Sequence, residues 1–319
     1  MNAWDELVER CAMRRNEKIG PLSADAYREL LIAVRADPRA FVDDPAEQAL
    51  LEVARALDAY RASLRDDDLL DDDAYQRERG KRLAALAASC AQAASIDGGC
   101  LDARLIEALA LDLDPDPLLE RLLDLEREAA DRELPTGDAW ADVLSRPRLR
   151  LRAAIARACL DGAHARMARA CAGSVIDAAP NDEPGARHTL ALACARLEDE
   201  AGLNELDARF SHREDAWSHL ARVILLFKLD RMNAARRALR GYDELCEGGA
   251  YALLRPTLVE PYLPDRPDAP VRSFDECTFA VREAEPIIAD TPDLIPWCQD
   301  QEWLVASAAR FAQGRGLDW

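Results

Sequence analysis

The feature that most limits what this chain can fold into is a pair-of-helices pattern that recurs between residues 147 and 247. Matching places in it are held by Ala156, Ala191 and Val223 on the first helix of each pair, and by Ala168, Leu203 and Ala235 on the second. Successive matches lie 35 and 32 residues apart. Helices of a pair cross at close quarters, and a bulky side chain at the crossing would push them apart. A period in this range is that of a helical repeat array, in which each pair buries its apolar face only by stacking on its neighbours.

The rest of the chain agrees with helix. Residues 3–17 place Trp4, Leu7, Val8 and Cys11 on one face, and Ser23 is set to cap a second helix ending near Asp37-Pro38. Asp44-Pro45-Ala46-Glu47 has the form of a helix start with a capping box. Asp66-Asp67-Asp68-Leu69-Leu70-Asp71-Asp72-Asp73 lacks the alternating ligands and central Gly of a calcium loop. Its acids instead suit the N-terminus of the following helix, and it is the best place for a hinge. Helices are expected over 73–94 and 101–111, and again after Asp114-Pro115. In the repeat region they are expected over 149–160, to Asp177, over 187–197, 203–210, 215–229 and 232–246, with Asp182 capping the third of them. Five prolines between 256 and 270 exclude a long helix there, so this apolar segment should pack as extended chain. Ser273-Phe274-Asp275-Glu276 starts a helix to about Ala289, and one last helix from Thr291-Pro292 should close the array.

The fold class expected is therefore all-α: a right-handed α–α superhelix, or tetratricopeptide-like solenoid, over 141–319 with C-terminal capping helices, and a further N-terminal helical region over 1–140 that has room for early degenerate repeats. A scarcity of aromatic residues (six each of Phe, Tyr and Trp) works against a sheet.

A formal net charge of −19 over 319 residues opposes general nucleic-acid binding. Arg146, Arg148, Arg150, Arg152 and Arg157 crowd the start of the repeats, and their plainest reading is the solvated face of one helix. No stretch reaches the length of an apolar membrane span, and Met1-Asn2-Ala3-Trp4-Asp5-Glu6 is too polar for a signal peptide. Nine single cysteines without a CxxC point to buried thiols in a reducing compartment rather than to zinc. A cytoplasmic protein without metal or cofactor is expected.

Catalysis finds little support. Only His164, His188, His212 and His219 are present, and Cys159 with His164, or His188 with Cys194, is the minimum for an activated thiolate. Phosphate-binding glycine loops and nucleophile elbows are missing. For binding, the first helix of each pair faces the groove, which selects Arg150, Arg157, His188, Arg196, Trp217 and Lys228. Five of these can carry positive charge and one is a flat aromatic anchor, a set suited to an acidic or C-terminal peptide.

Several local sequences carry a family resemblance. They are Arg146-Pro147-x-Leu149, Ala179-Pro180-Asn181-Asp182-x-x-Gly185-x-Arg187, Glu214-x-x-Trp217, Tyr251-Ala252-Leu253-Leu254 and Thr291-Pro292-x-Leu294-x-x-Trp297. Over residues 147–299 the chain resembles the tetratricopeptide-like domain of the suppressor-of-tumorigenicity-7 family and its bacterial relatives. The chain departs from the pattern at Glu198-Asp199-Glu200, where a Gly turn is usual, and at Gly248-Gly249, which no Pro follows. The resemblance implies a helical scaffold for protein contacts and supplies no catalytic residue. The function expected is a non-enzymatic adaptor holding a protein or peptide; alternatives are a regulatory subunit that senses a small ligand or peptide, and a Cys-dependent hydrolase.

Overall fold

The computed structural model describes residues 1–65, 67, 70–129, 134–210 and 215–319. Among them every regular element is helical and none is a strand. The chain divides into two units, one of residues 1–151 with 261–265, the other of residues 152–260 with 266–319.

In the first unit the starts of the helices follow the capping chemistry written in the sequence. Helix α1 (Ala3–Ile19) is capped by Asn2, and α2 (Ala24–Ala36) by Ser23, whose hydroxyl accepts from the Ala26 amide. Asp44 accepts from the Glu47 amide at the head of α3 (Pro45–Ser63), and Glu47 reaches back one residue further than a capping box requires, to the Asp43 amide. In the acidic run, Asp71 caps α4 (Asp72–Ile96), with Asp72 and Asp73 in its first turn. Asp67 is paired with Arg82. Asp66, Asp68 and Leu69, part of the expected hinge, lie outside the described residues, as do His212 and Glu214. Helices α5 (Leu101–Ala110) and α6 (Pro115–Glu128) complete the unit. Helix α3 packs on α1, α4 and α5, and their core is Leu7, Leu50, Leu57, Leu86, Cys90 and Ile106, with Leu263 against it.

Helix α7 (Arg146–Asp161) spans the division of the chain. The second unit continues with α8 (Ala165–Ala178), α9 (Ala186–Arg196), α10 (Glu200–Arg209), α11 (Ala216–Lys228) and α12 (Met232–Leu245). Helix α9 packs on α8, α10 and α11, and α11 on α12. All six residues at the repeat positions are buried, Ala191 at 3 % exposed and the other five at 0 %. The turn before α9 is held by Asp182, whose carboxylate accepts from the amides of Ala186 (2.6 Å) and Arg187 (3.1 Å).

The C-terminal part differs from expectation in three places. Gly248-Gly249 does not simply end the third pair: a short helix α13 (Gly249–Leu254) starts there. Beyond α14 (Phe274–Ala289), the single last helix is two, α15 (Leu294–Gln299) and α16 (Glu302–Arg315). Most consequential, α14 packs against both α9 and α11.

Gly248 has no substitute at the head of α13. Its φ is +69°, and a Cβ there would lie 2.5 Å from the Phe311 ring and 2.8 Å from that of Phe274. Those rings, 4.9 Å apart, pack with Tyr251. Gly248→Ala is expected to cost about 2–4 kcal/mol, combining a left-handed backbone with overpacking. Gly173→Ala, inside α8 with open space around it, should instead add up to about 1 kcal/mol. Thermal melts of the two variants against the parent check both signs.

Candidate functional site

A connected polar constellation of the second unit lies where α9, α11 and α14 meet. Asp215 opens α11 with a complete capping box: it accepts from the Ser218 amide at 2.9 Å, and Ser218 Oγ accepts from the Asp215 amide at 3.0 Å. The other carboxylate oxygen of Asp215 lies 3.2 Å from Arg187 Nη2 and 3.5 Å from His188 Nδ1, both from the first turn of α9. The His188 ring rests on Trp217, with centroids 4.0 Å apart. Burial opposes the charge on Asp215, but His188, the Ser218 amide and Arg187 outweigh it and hold this carboxyl well below the ordinary range.

Helix α14 supplies the opposite wall. Glu283 is buried, and Arg266 grips both its oxygens at 2.6 Å. Arg266 also donates to the Gly185 carbonyl (2.6 Å) and to Thr189 Oγ1 (2.8 Å), and its guanidinium stands 5.7 Å from the centre of the Trp217 ring. Burial opposes ionisation of Glu283, and Arg266 overcomes it, so its carboxyl is lowered. Glu276 accepts from the Ala216 amide (3.0 Å) and the Arg272 amide (2.6 Å); burial raises its pKa against those bonds.

Of the six groove residues, the structure brings His188 and Trp217 into direct contact, both buried. Arg196 and Lys228 also meet: Lys228 Nζ caps the C-terminal end of α9 by donating to the Arg196 carbonyl at 2.9 Å, while the Arg196 side chain pairs with Asp290. Arg157 is half-buried and adds positive potential at Asp161 and Glu283. Arg150 belongs to the first unit and is 1 % exposed, bonded to Glu6, Asp102 and Asp265. The solvated-face reading of the arginine run is thus corrected for Arg150: three carboxylates from distant parts of the sequence draw it inward.

Arg266, Glu283, Asp215 and Thr189 are the members that sequence reasoning missed. The one available signal was Arg266 itself, the single cation between Pro256 and Pro270. Its partners lie 17, 77 and 81 residues away and share no spacing.

A cavity of about 410 Å³ opens beside the α7–α8 turn. It is lined by His164, Arg166, Met167, Arg196 and Leu197, with Ala163 and Ala165. Among the described residues no carboxylate belongs to its lining, and Asp290 is paired with the lining Arg196. Among the described residues, no group of three or more His, Cys, Asp or Glu side chains could hold a metal ion. No helix among them is long and apolar enough to cross a membrane. The thiols considered as nucleophiles are displaced the wrong way: burial pushes Cys194 up to about 11, and the bond to Cys171 together with burial raises Cys159.

No protein-family model, no curated protein and no solved structure matches the chain.

Proposed function

We propose that this chain is a non-enzymatic scaffold, a tetratricopeptide-like superhelix akin to the suppressor-of-tumorigenicity-7 family, which holds an acidic segment of a partner protein. The observation that carries the reading is the 410 Å³ cavity, whose described lining has Arg166, Arg196 and His164 beside Met167 and Leu197, with Asp290 as the partner of Arg196 that a ligand carboxylate would replace. On a chain of net charge −19, such a wall favours a carboxylate-bearing ligand over the bulk of the surface. The burial of all six repeat positions supports the stacked-pair geometry. The raised thiols of Cys159 and Cys194 count against the hydrolase alternative.

On this reading the ligand is not seated over His188 and Trp217, because α14 and Arg266 already cover them. The binding surface is the outer cavity, which shares only Arg196 with the residues chosen from sequence. A second reading, a sensor for a small anionic ligand, is favoured by the cavity's volume, which lies within the range of small-molecule sites.

Anisotropy titrations with fluorescein-labelled decapeptides, Glu/Asp-rich against Lys-rich, test the scaffold reading. The acidic peptide should bind and weaken with added salt, and Arg166→Glu with Arg196→Glu should lower its affinity at least about tenfold. Equal binding of both peptides, or an unaffected double variant, would remove the cavity from consideration. Loss of acidic-peptide binding to a competing citrate or phosphate ion would favour the small-ligand sensor.

A further inference from the structure

The two arginines that line the cavity stand in different states. Arg166, in the first turn of α8, is exposed, and no carboxylate among the described residues pairs with it. Arg196, the last residue of α9, has its guanidinium on Asp290. That pair is open to solvent on both sides, the side chains being 32 % and 42 % exposed, so a ligand can reach it. Asp290 caps the C-terminal end of α14. A carboxylate there stands at the negative end of the helix dipole, and the last turn of α14 holds no basic residue. Arg196, from another helix, is the cation that offsets it.

We infer, with the cavity taken as the binding surface, that Asp290 is an internal competitor that makes the site selective for peptide segments carrying two carboxylates. The first acid of such a segment meets Arg166 and displaces nothing. A second acid reaches Arg196 only by taking the place of Asp290. A segment with one acid gains by pairing with Arg166 and leaves the Arg196–Asp290 pair intact. Asp290 thus sets the threshold at the second cation, while the first is open to any acid.

Two further contacts make the exchange local. The backbone of Arg196 is anchored apart from its side chain, because Lys228 Nζ donates to its carbonyl at 2.9 Å. The backbone of Asp290 is held too, its amide donating back into the last turn of α14. The guanidinium can therefore change partners while both helix ends stay in place. The exchange gives up one exposed ion pair for another and leaves Asp290 unpaired at the end of α14. An exposed pair is weak, so its removal should raise the affinity for a two-acid segment by about two- to fivefold.

Calorimetric titrations of the full chain at low salt, with amidated decapeptides that are Glu/Asp-rich or carry a single Glu, test it. Asp290→Asn should bind the acid-rich peptide about two- to fivefold more tightly than the parent chain, and added salt should narrow the gap. Asp290→Glu keeps a carboxylate and should behave as the parent does. In an Arg196→Ala background, Asp290→Asn should change nothing, because the competitor has lost what it competes for. The single-Glu peptide should bind both chains more weakly and without the gain. Should the amide perturb the end of α14, Asp290→Ala gives the same comparison. Unchanged affinity for the acid-rich peptide on Asp290→Asn would overturn the competitor and leave the cavity reading standing. A gain that persists without Arg196 would also overturn it, since the effect would then be one of overall charge. An equal gain for the single-Glu peptide would overturn the two-acid requirement. No binding of the acid-rich peptide to either folded chain would remove the cavity reading and the competitor together.

Discussion

Replacing Arg150 by alanine should destabilise the chain by about 3–5 kcal/mol, the usual cost of removing one member of a buried ionic cluster. Arg150 Nη1 lies 3.2 Å from Glu6 and 3.1 Å from Asp102, its Nη2 also grips Glu6, and its Nε lies 3.3 Å from Asp265. The guanidinium also stands 5.2 Å from the centre of the Trp140 ring. Glu6 and Asp102 are 4 % and 1 % exposed, so water cannot replace the lost cation. Arg10, 3.3 Å from Asp102 and 3.7 Å from Glu6, would be left alone among carboxylates. Burial already raises the pKa of Glu6 in spite of Arg150, so the variant should take up protons near Glu6 on folding. Urea unfolding followed by circular dichroism gives the loss directly. A change below about 1 kcal/mol would mean that the cluster relaxes into solvent and behaves like a surface pair. Arg150→Lys keeps the charge but cannot reach all three acids in one plane, and should recover only part of the loss.

Arg266→Ala should be of similar size, about 3–5 kcal/mol at neutral pH, with a pH signature that a packing defect would not show. In the parent chain the carboxyl of Glu283 is lowered by Arg266. Its contribution to stability is present above the unfolded carboxylate value and is lost as the pH falls through the lower folded value. Without Arg266 the same buried carboxyl has burial as its dominant influence, so its folded pKa lies above the unfolded one. Protonation then relieves the variant before it affects the unfolded chain. The difference between parent and variant should be greatest at neutral pH and above, and should shrink as the pH is lowered into the carboxylate range. Adding Glu283→Gln to Arg266→Ala should flatten that dependence. Unfolding free energies across a pH series decide it, and a constant gap would assign the loss to packing against Trp217 and Thr189 instead.

The local order of this protein was legible in its sequence because helix starts are chemical events within four residues. Ser23, Asp44, Asp71, Asp215 and Ser273 each place an oxygen where an amide at the third following residue needs an acceptor, and all five do so in the structure. Periodicity likewise located residues that the fold buries, from Ala156 through Ala235. Both signals are short in range. The two-helix ending, α15 and α16, was missed because Asp300 and Gln301 carry no Pro or Gly to mark the break.

The candidate site was far less legible. His188 and Trp217 could be chosen as a cation and an aromatic on successive first helices, and they do meet. Neither residue carries information about α14, which packs on α9 and α11 where both side chains are buried. Arg196, by contrast, ends α9 and keeps a place in the lining of an open cavity while its side chain pairs with Asp290 at the end of α14.

What the sequence determined by itself was helix: where each begins, which face is apolar and which small residues are buried, since these rest on hydrogen bonds and side-chain volumes within a few turns. What only the tertiary structure decided was the fate of charge. Arg150 with Glu6, and Arg266 with Glu283, are separated by 144 and 17 residues. An arginine becomes a buried partner rather than a solvated one only when the fold carries a carboxylate to it, because the cost of desolvating either ion alone exceeds anything its neighbours in sequence can return.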